Sequence, residues 1–225
     1  MEVSEELCAE DRARVGAYWW KRAEGEITSW VGFGHVLDDL RLEGSPATIL
    51  ALAERAVADE HRHAMFCRDW AVRFGHPGGE PTPRGERALA FPGAAPRENR
   101  LLRIALCCFT ETVGCFTLRY VRPFLRHAEL KKLNQRHTAD ELLHSRVGWG
   151  HLSVMGEPER DVLRASLQAL FALLQDACCA GSEEEREDLI PFGYFTSSLL
   201  RQAHDDALQE VIRPGLRHLG IASAE

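Results

Sequence analysis

The chain has 225 residues, of which 45% are hydrophobic and 27% charged, and its formal net charge is −7. This length suits one medium-sized domain with a sizeable core, and the composition is ordinary for a globular protein. The acidic balance argues against a nucleic-acid-binding surface, which usually carries an excess of basic residues.

The sequence favours a cytoplasmic protein with reduced thiols. Its start, MEVSEELCAEDRARV, lacks the basic and then apolar layout of a signal peptide. We expect no membrane span, because charged residues interrupt the apolar stretches every few positions. Seven cysteines include the adjacent pairs Cys107–Cys108 and Cys178–Cys179, which suit buried helical thiols better than a disulfide framework. No Cys-x-x-Cys occurs, so we do not expect a thiolate zinc site.

Helical periodicity begins near Asp11, and a stripe at steps of three and four predicts a first helix. That stripe consists of Trp19, Ala23, Glu26, Trp30, Phe33 and Leu37. The break RLEGSP follows, in which we expect Ser45 to cap a second helix and Pro46 to be its first residue. We expect the second helix to end at Gly75.

Residues 76–97 hold most of the prolines and predict a long irregular connection. A third helix is predicted from about Asn99 to Pro123, and a fourth from about Leu130 to Met155. Amphipathic segments at about 158–179 and 192–212 predict two more helices, separated by the acidic sequence GSEEERED. Alternating strand patterns are absent from the sequence, which predicts an all-α protein.

Four long helices with short links within each pair and a long link between the pairs predict a ferritin-like four-helix bundle with one long crossover. Two C-terminal helices are added to it. We expect residues 1–225 to form a single domain, with the four-helix core at about 12–155 and the accessory helices at about 158–219.

The motif Glu-x-x-His occurs twice, in ADEHRHAM (58–65) and in ADELLHSR (139–146). Residues three apart lie on one face of a helix, so Glu60 with His63, and Glu141 with His144, can each face one metal ion. One copy alone is weak evidence, because about one match is expected by chance in this chain.

Two further glutamates match the motifs in height. Residue 43, in the first turn, is midway between Glu26 and Glu60, and residue 126, in the second turn, is midway between Glu111 and Glu141. Residues equidistant from a turn lie at the same height on antiparallel helices. Each hairpin therefore offers a Glu and a Glu-x-x-His, which is the ligand set of di-iron or di-manganese carboxylate bundles.

Each candidate also has a structural interpretation. Glu24 is the rival of Glu26, although it falls on a more polar face. A lone buried Glu111 would be costly without a metal or a partner. His137 shares a face with Glu141. As a third nitrogen ligand it would make the two metal positions unequal. The alternative is a hydrogen-bonded or solvated histidine near the start of a helix. Buried ion pairs without metal are the alternative for the whole set.

Other residues carry weaker expectations. Asp59 and Asp140, each directly before a motif Glu, are expected to orient the histidine ligands. His61 should point away from the site. His204 in the last helix either lines the pocket or faces solvent, and we favour solvent. Four aromatic residues are candidates both for the wall of a substrate pocket and for plain core: Trp30, Phe33, Phe109 and Phe116.

In ligand order and spacing the sequence resembles the non-haem di-iron arylamine (p-aminobenzoate) N-oxygenases, over about residues 15–155. The resemblance implies that seven residues bind two irons, with His137 as the extra ligand: Glu26, Glu60, His63, Glu111, His137, Glu141 and His144. The chain is shorter than usual members of that family, which leaves the substrate pocket undefined. The wider ferritin-like superfamily shares six of these ligands, and the missing Cys-x-x-Cys disfavours a rubrerythrin-like protein.

The expected function is that of a di-iron oxygenase that uses O2 to oxidise a small organic substrate, with N-oxygenation of an amine as the reaction that the resemblance implies. The alternative is a ferroxidase or iron-handling protein without an organic substrate. The expected cofactors are two iron ions, with manganese as the alternative metal. We expect an external electron donor, no nucleic acid or membrane partner, and a homodimer as the default oligomer.

Overall fold

The computed structural model describes residues 6–84, 91, 93–179 and 184–222, which are helical and contain no strand. The predicted all-α class is therefore confirmed. The α-helices are α1 (Ala9–Leu42), α2 (Ala47–Arg73), α3 (Pro96–Val121), α4 (Ala128–Val154), α5 (Glu157–Cys179), α6 (Ser197–Ala207) and α7 (Arg213–His218). A 3-10 helix (Glu187–Phe192) precedes α6, and a π-helical turn (Leu208–Ile212) joins α6 to α7.

The first four helices form a bundle of two antiparallel hairpins. Short turns connect α1 to α2 and α3 to α4, and contacts are extensive within each pair. Between the hairpins, α1 packs on α3 and α2 packs on α4. Asp59 of α2 lies beside His144, and Arg73, further along α2, binds Glu129 near the start of α4, so α2 and α4 are antiparallel.

Ion pairs show the same relation between α1 and α3, because Arg103 binds Asp39 and Arg100 binds Glu43. It follows that α2 and α3 run in the same direction, and the chain between them must return along the bundle. This is the predicted long crossover. Its residues 85–90 and 92 lie outside the described part of the chain, as do residues 181–183 of the acidic sequence before α6.

Two apolar layers in the bundle are separated by a polar middle layer. Near the α1–α2 turn, Phe33, Leu40 and Ile104 are buried in one cluster. Toward the other end, Trp19 and Trp70 belong to a second cluster that the segment around Phe192 covers. Between these layers lie the carboxylates and imidazoles that the sequence singled out, which are buried except for the partly buried Glu26. Helices α5 and α6 pack on the outside of α3.

Several local expectations are wrong. The N-cap of α2 is Pro46 rather than Ser45, because the Ser45 hydroxyl lies 2.7 Å from Nδ1 of buried His151. The last long helix begins at Ser197, not near 192, because Gly193 ends the 3-10 helix with a φ of +84°. His204 is buried beside Asp205 and does not face solvent.

Two helices are long and apolar enough to cross a membrane by length and composition alone, contrary to expectation: α3 and α5. Most of the apolar window of α3 is buried inside the bundle. Core helices of soluble proteins commonly share this composition. Much of the corresponding window of α5 is exposed, and this helix packs through Leu163, Leu170 and Leu174. The cytoplasmic location remains a prediction.

The close approach of α3 and α4 provides a stability test. A Cβ added to Gly148 would overlap Cβ of Cys108 and lie 3.0 Å from its Cα. We expect Gly148→Ala to lower the free energy of unfolding by about 1–3 kcal/mol through overpacking. Gly34→Ala is the matched control, since a Cβ there meets no atom within 4 Å, and better helix propensity should add about 0.5–1 kcal/mol. Urea unfolding would contradict this packing if both variants changed stability equally.

Candidate metal centre

All seven sequence-predicted residues meet in the middle layer, where they form two groups of possible metal ligands. The first group is Glu26, His63, His137 and Glu141, and the second is Glu60, Glu111, Glu141 and His144. Within each group the ligand atoms lie within 4.8 Å of one another. Each of the four bundle helices contributes, and Glu141 belongs to both groups.

The first group centres on one oxygen of Glu141. Its Oε1 lies 2.7 Å from Nε2 of His137 and 3.5 Å from Nδ1 of His63. Nε2 of His137 is also 3.8 Å from Oε1 of Glu26. The two imidazole rings are 3.9 Å apart between centroids. One carboxylate oxygen from each of two glutamates therefore faces two imidazole nitrogens.

The second group surrounds Nδ1 of His144. This nitrogen is 2.8 Å from Oε1 of Glu60, 3.5 Å from Oε2 of Glu111 and 3.6 Å from Oε2 of Glu141. Glu141 thus directs one oxygen to each group. Glu60 is placed similarly, because its other oxygen is 3.8 Å from Nδ1 of His63. Glu60 and Glu141 would therefore each offer one oxygen to each of the two groups.

Two aspartates hold the outer nitrogens of the motif histidines, and each comes from the opposite motif. Asp140 Oδ2 is 3.3 Å from Nε2 of His63, and Asp59 Oδ2 is 3.5 Å from Nε2 of His144. These contacts leave both Nδ1 atoms directed at the glutamates. Carboxylates in this position orient a ligand imidazole and raise its basicity, as expected for both aspartates.

Two arginines that the sequence did not single out tie these aspartates together. Arg62 donates to Asp59 and, at 2.7 Å, to Asp140. Arg55 donates to the same two carboxylates at 3.2 and 3.4 Å. Both arginines are partly exposed, so they lie between the centre and solvent. The Arg–Asp pairs join α2 to α4 directly behind the two histidines.

Glu24, the rival of Glu26, lies outside the centre. Its carboxylate accepts hydrogen bonds from Nε1 of Trp20 and Nε of Arg84. His61 also points outward, where it is exposed and its ring contacts Trp30. The structure therefore distinguishes neighbours on the same helices: Glu26 and His63 face inward, whereas Glu24 and His61 do not.

The donor set fits two divalent cations. Four buried atoms that face the centre form no hydrogen bond of normal geometry: both carboxylate oxygens of Glu60, and Nδ1 of His63 and of His144. Burying such atoms without a partner is costly. Two divalent cations would balance the charge of the four glutamates and accept the free lone pairs, and mixed imidazole and carboxylate ligands suit iron or manganese.

In the protein without metal, the crowded carboxylates compete for protons. Burial and the neighbouring Glu60 raise the pKa of Glu26 to about 8. Burial and Glu141 raise the pKa of Glu111 well above its ordinary value. Although burial opposes it, Glu111 and the nearby imidazoles of His137 and His144 lower the pKa of Glu141. Protons and metal ions would therefore compete for the same oxygens.

The histidines differ in the same way. Burial lowers the pKa of His63, but the surrounding carboxylates outweigh this effect and raise it to about 9. Burial and the adjacent His63 instead lower the pKa of His137 to about 4. His137 is therefore a neutral imidazole at physiological pH, which is the form that binds metals. Because the second group has one imidazole and the first has two, the two positions are unequal.

A pocket of about 480 Å³ opens beside the centre. Side chains from both ligand groups line one side, including Glu26, Glu60, Glu111 and His137. Its other walls come from α1, α3 and the C-terminal part of the chain, and they include Val113, Gly114, Thr117, Leu118, Ala177, Cys178, Phe195 and Leu200.

The aromatic residues considered as pocket walls are absent from this lining. Phe33 and Phe109 are buried core residues, Phe116 packs in the cluster around α3, and Trp30 is 39% exposed. The aromatic wall is instead Phe195, in the segment before α6. Sequence periodicity could not find it, because it lies in an irregular stretch far along the chain from the motifs.

Comparison of the chain with models of known protein families, with curated proteins and with solved structures finds no match. The resemblance to arylamine N-oxygenases is therefore carried by the ligand pattern alone.

We predict that the protein binds two divalent ions per chain and that Glu26→Gln lowers the affinity for one of these ions at least tenfold. The amide keeps the shape of the side chain but loses the negative charge that strengthens its binding to a divalent cation. Anaerobic titration with Mn(II), followed by electron paramagnetic resonance of the free ion, measures both sites. Glu24→Gln is the control and should bind like the wild type. Equal behaviour of the two variants would remove Glu26 from the site.

The raised pKa of Glu26 predicts how pH affects the metal-free protein. Its carboxyl keeps a proton up to about pH 8 in the folded state but only to its ordinary value of 4.5 when unfolded. Between these values the folded state binds more protons, so this group makes stability fall as pH rises. Chemical denaturation from pH 5 to 9 in chelator should show a shallower fall for Glu26→Gln. Identical slopes would contradict the assignment.

Proposed function

We propose that this protein is a di-iron oxygenase that uses O2 to oxidise a small organic substrate held in the 480 Å³ pocket. The reaction we favour is N-oxygenation of an arylamine. The main support is that one cavity is lined by candidate ligands from both groups and also by side chains that belong to neither group. Its volume is in the range of small-molecule sites.

Iron bound here would supply the electrons and the Lewis acidity for reducing O2. The chain's own residues supply the geometry. The crossed Asp59 and Asp140 contacts, tied by Arg55 and Arg62, fix the imidazole planes. Such outer contacts commonly change metal affinity or activity by about 10–100-fold.

The pocket leaves room for a substrate next to Glu141, the carboxylate that belongs to both ligand groups. Gly114 faces Glu141, and a Cβ added there would be 3.7 Å from Oε2. Any larger side chain would extend into the space between α3 and the carboxylate. Val113 and Leu118 contribute apolar lining, which limits the water beside the reacting group. A flat amine fits this arrangement of an apolar wall facing a polar one.

A ferroxidase would need the same glutamates and histidines, but it would not need a cavity with an apolar wall. The two functions therefore differ in what the pocket does. An oxygenase couples O2 use to the substrate, whereas a ferroxidase consumes O2 in proportion to added iron.

The test is a single turnover. Metal-free protein is loaded anaerobically with two equivalents of Fe(II), mixed with ¹⁸O2, and assayed with a panel of arylamines by mass spectrometry. The two ferrous ions supply two electrons, so substrate, O2 and two protons give the oxygenated product and one water. Incorporation of one ¹⁸O into an amine supports the proposal. Ferric iron that forms regardless of every amine, and continues with more iron, would favour the ferroxidase.

Gly114→Leu should separate the two functions. We predict at least a tenfold loss of amine oxidation, because the side chain fills the pocket, with two-ion binding retained. Gly114→Ala is the control and should keep most activity, since its Cβ makes an ordinary contact. Normal amine oxidation by Gly114→Leu, measured in the same single-turnover assay, would place the substrate elsewhere.

A further inference from the structure

A strongly basic surface surrounds the α3–α4 turn, although the whole chain is acidic. Residues 119–136 contain six arginines and lysines and one carboxylate, in a protein of net charge −7. We call this surface the basic patch: Arg119, Arg122, Arg126, Lys131, Lys132 and Arg136. All six are exposed. The single carboxylate, Glu129, binds Arg73 of α2 at 2.7 Å.

The cations of the basic patch have no ion-pair partner among the residues that the structure describes. Most other arginines in the described part of the chain do pair with a carboxylate, as Arg62, Arg100 and Arg103 show. Like charges held close together repel each other. Nothing within the described chain compensates this repulsion, so the patch is suited to a partner with negative charge.

An apolar side chain lies in the same turn. Phe124 is 55% exposed, between the patch residues Arg122 and Arg126. Arginine and aromatic residues are enriched at the centres of protein interfaces, whereas lysines are depleted there and more typical of the rim. Beside this residue, Arg119, Arg122, Lys131 and Lys132 line an open surface groove. The composition is that of a small protein-binding surface with a charged rim.

The patch is linked to the metal centre by α4. Lys132 precedes the candidate ligand His137 by five residues, which is about 8 Å along a helix. Nδ2 of buried Asn134 donates to the carbonyl oxygen of Leu118 at 3.0 Å, so α4 is fixed to α3 between the two places. Leu118 also lines the pocket. A partner docked on the patch would therefore be close to the first metal group.

We propose that the basic patch docks an acidic one-electron carrier protein. This inference rests on the proposed function, in which substrate, O2, two electrons and two protons yield oxygenated product and water. The carrier, an iron–sulfur or flavin protein, is oxidised by one electron in each of two encounters and returns the ferric centre to the ferrous state.

A carrier fits better than an extended polyanion. The patch is confined to the α3–α4 turn and the adjoining ends of the two helices, and redox encounters commonly bury less than about 1,200 Å². The acidic remainder of the surface would repel a longer nucleic acid or an anionic membrane. Opposite charges on a small partner instead speed the encounter, by about 10–1,000-fold at low ionic strength.

The first experiment measures binding and needs no catalysis. Oxidised acidic [2Fe–2S] ferredoxin is titrated into the metal-free full chain at low and high salt by calorimetry. We expect binding that weakens steeply with salt, and at least a tenfold loss in the double variant Lys131→Glu/Lys132→Glu. The variant Arg201→Glu/Arg217→Glu changes net charge equally elsewhere and should bind like the wild type. Equal loss in both variants would overturn the proposal.

The second experiment mixes reduced ferredoxin with the ferric, iron-loaded protein in a stopped-flow instrument without O2. The patch variant should be reduced at least tenfold more slowly at low salt, yet equally fast by reduced lumiflavin, a small neutral donor. An unchanged rate with ferredoxin overturns the docking site, even if single-turnover amine oxidation succeeds. The proposal would also be overturned if the patch bound duplex DNA or anionic vesicles in a salt-sensitive way while ferredoxin reduced the patch variant as fast as the wild type.

Discussion

Four glutamates and three histidines meet in the middle of a helical bundle, where unpaired charge is expensive. The apolar layers on either side gain stability from burial, but the middle layer cannot do so by itself. Shared protons or bound cations are the two ways to neutralise it. In the metal-free protein, the raised pKa values of Glu26 and His63 indicate neutralisation by shared protons. The two carboxylate oxygens of Glu60, which form no hydrogen bond, are better satisfied by bound cations.

The helices around this layer are fixed from outside as well as from within. Arg55 and Arg62 join α2 to α4 through the two aspartates, and this joint also sets the direction of the histidine rings. A change in the arginines would therefore reach the centre although neither touches it. The pseudo-twofold arrangement is broken by His137, which gives the first group a second imidazole. Unequal positions suit a reaction in which the two metals have different tasks.

The sequence could predict the centre because its information is periodic. The spacing of Glu-x-x-His puts two ligands on one face, and the distances from the turns put Glu26 and Glu111 at matching heights. The same logic separated Glu26 from Glu24 and His63 from His61. The bundle topology followed from one long connection between two short ones.

Other features depend on contacts between distant parts of the chain, so the periodicity of the sequence does not predict them. Arg55 and Arg62 read as ordinary exposed cations, since nothing in the sequence indicates which acids they meet. Phe195 reaches the pocket only because the C-terminal segment folds back onto α1. His204 is predicted to face solvent, yet it is buried, because the sequence does not show which neighbours its helix packs against. The sequence does not reveal the N-cap of α2, because Ser45 is held by His151 on α4, 106 positions away along the chain.

The most direct test of the metal centre is crystallographic. Crystals grown or soaked with Mn(II) and measured at the manganese absorption edge would show bound ions as anomalous peaks. Our account predicts two peaks in the middle layer, both contacted by Glu141 and only one contacted by His137. An absence of peaks in that layer, or ions bound only at surface carboxylates, would contradict it.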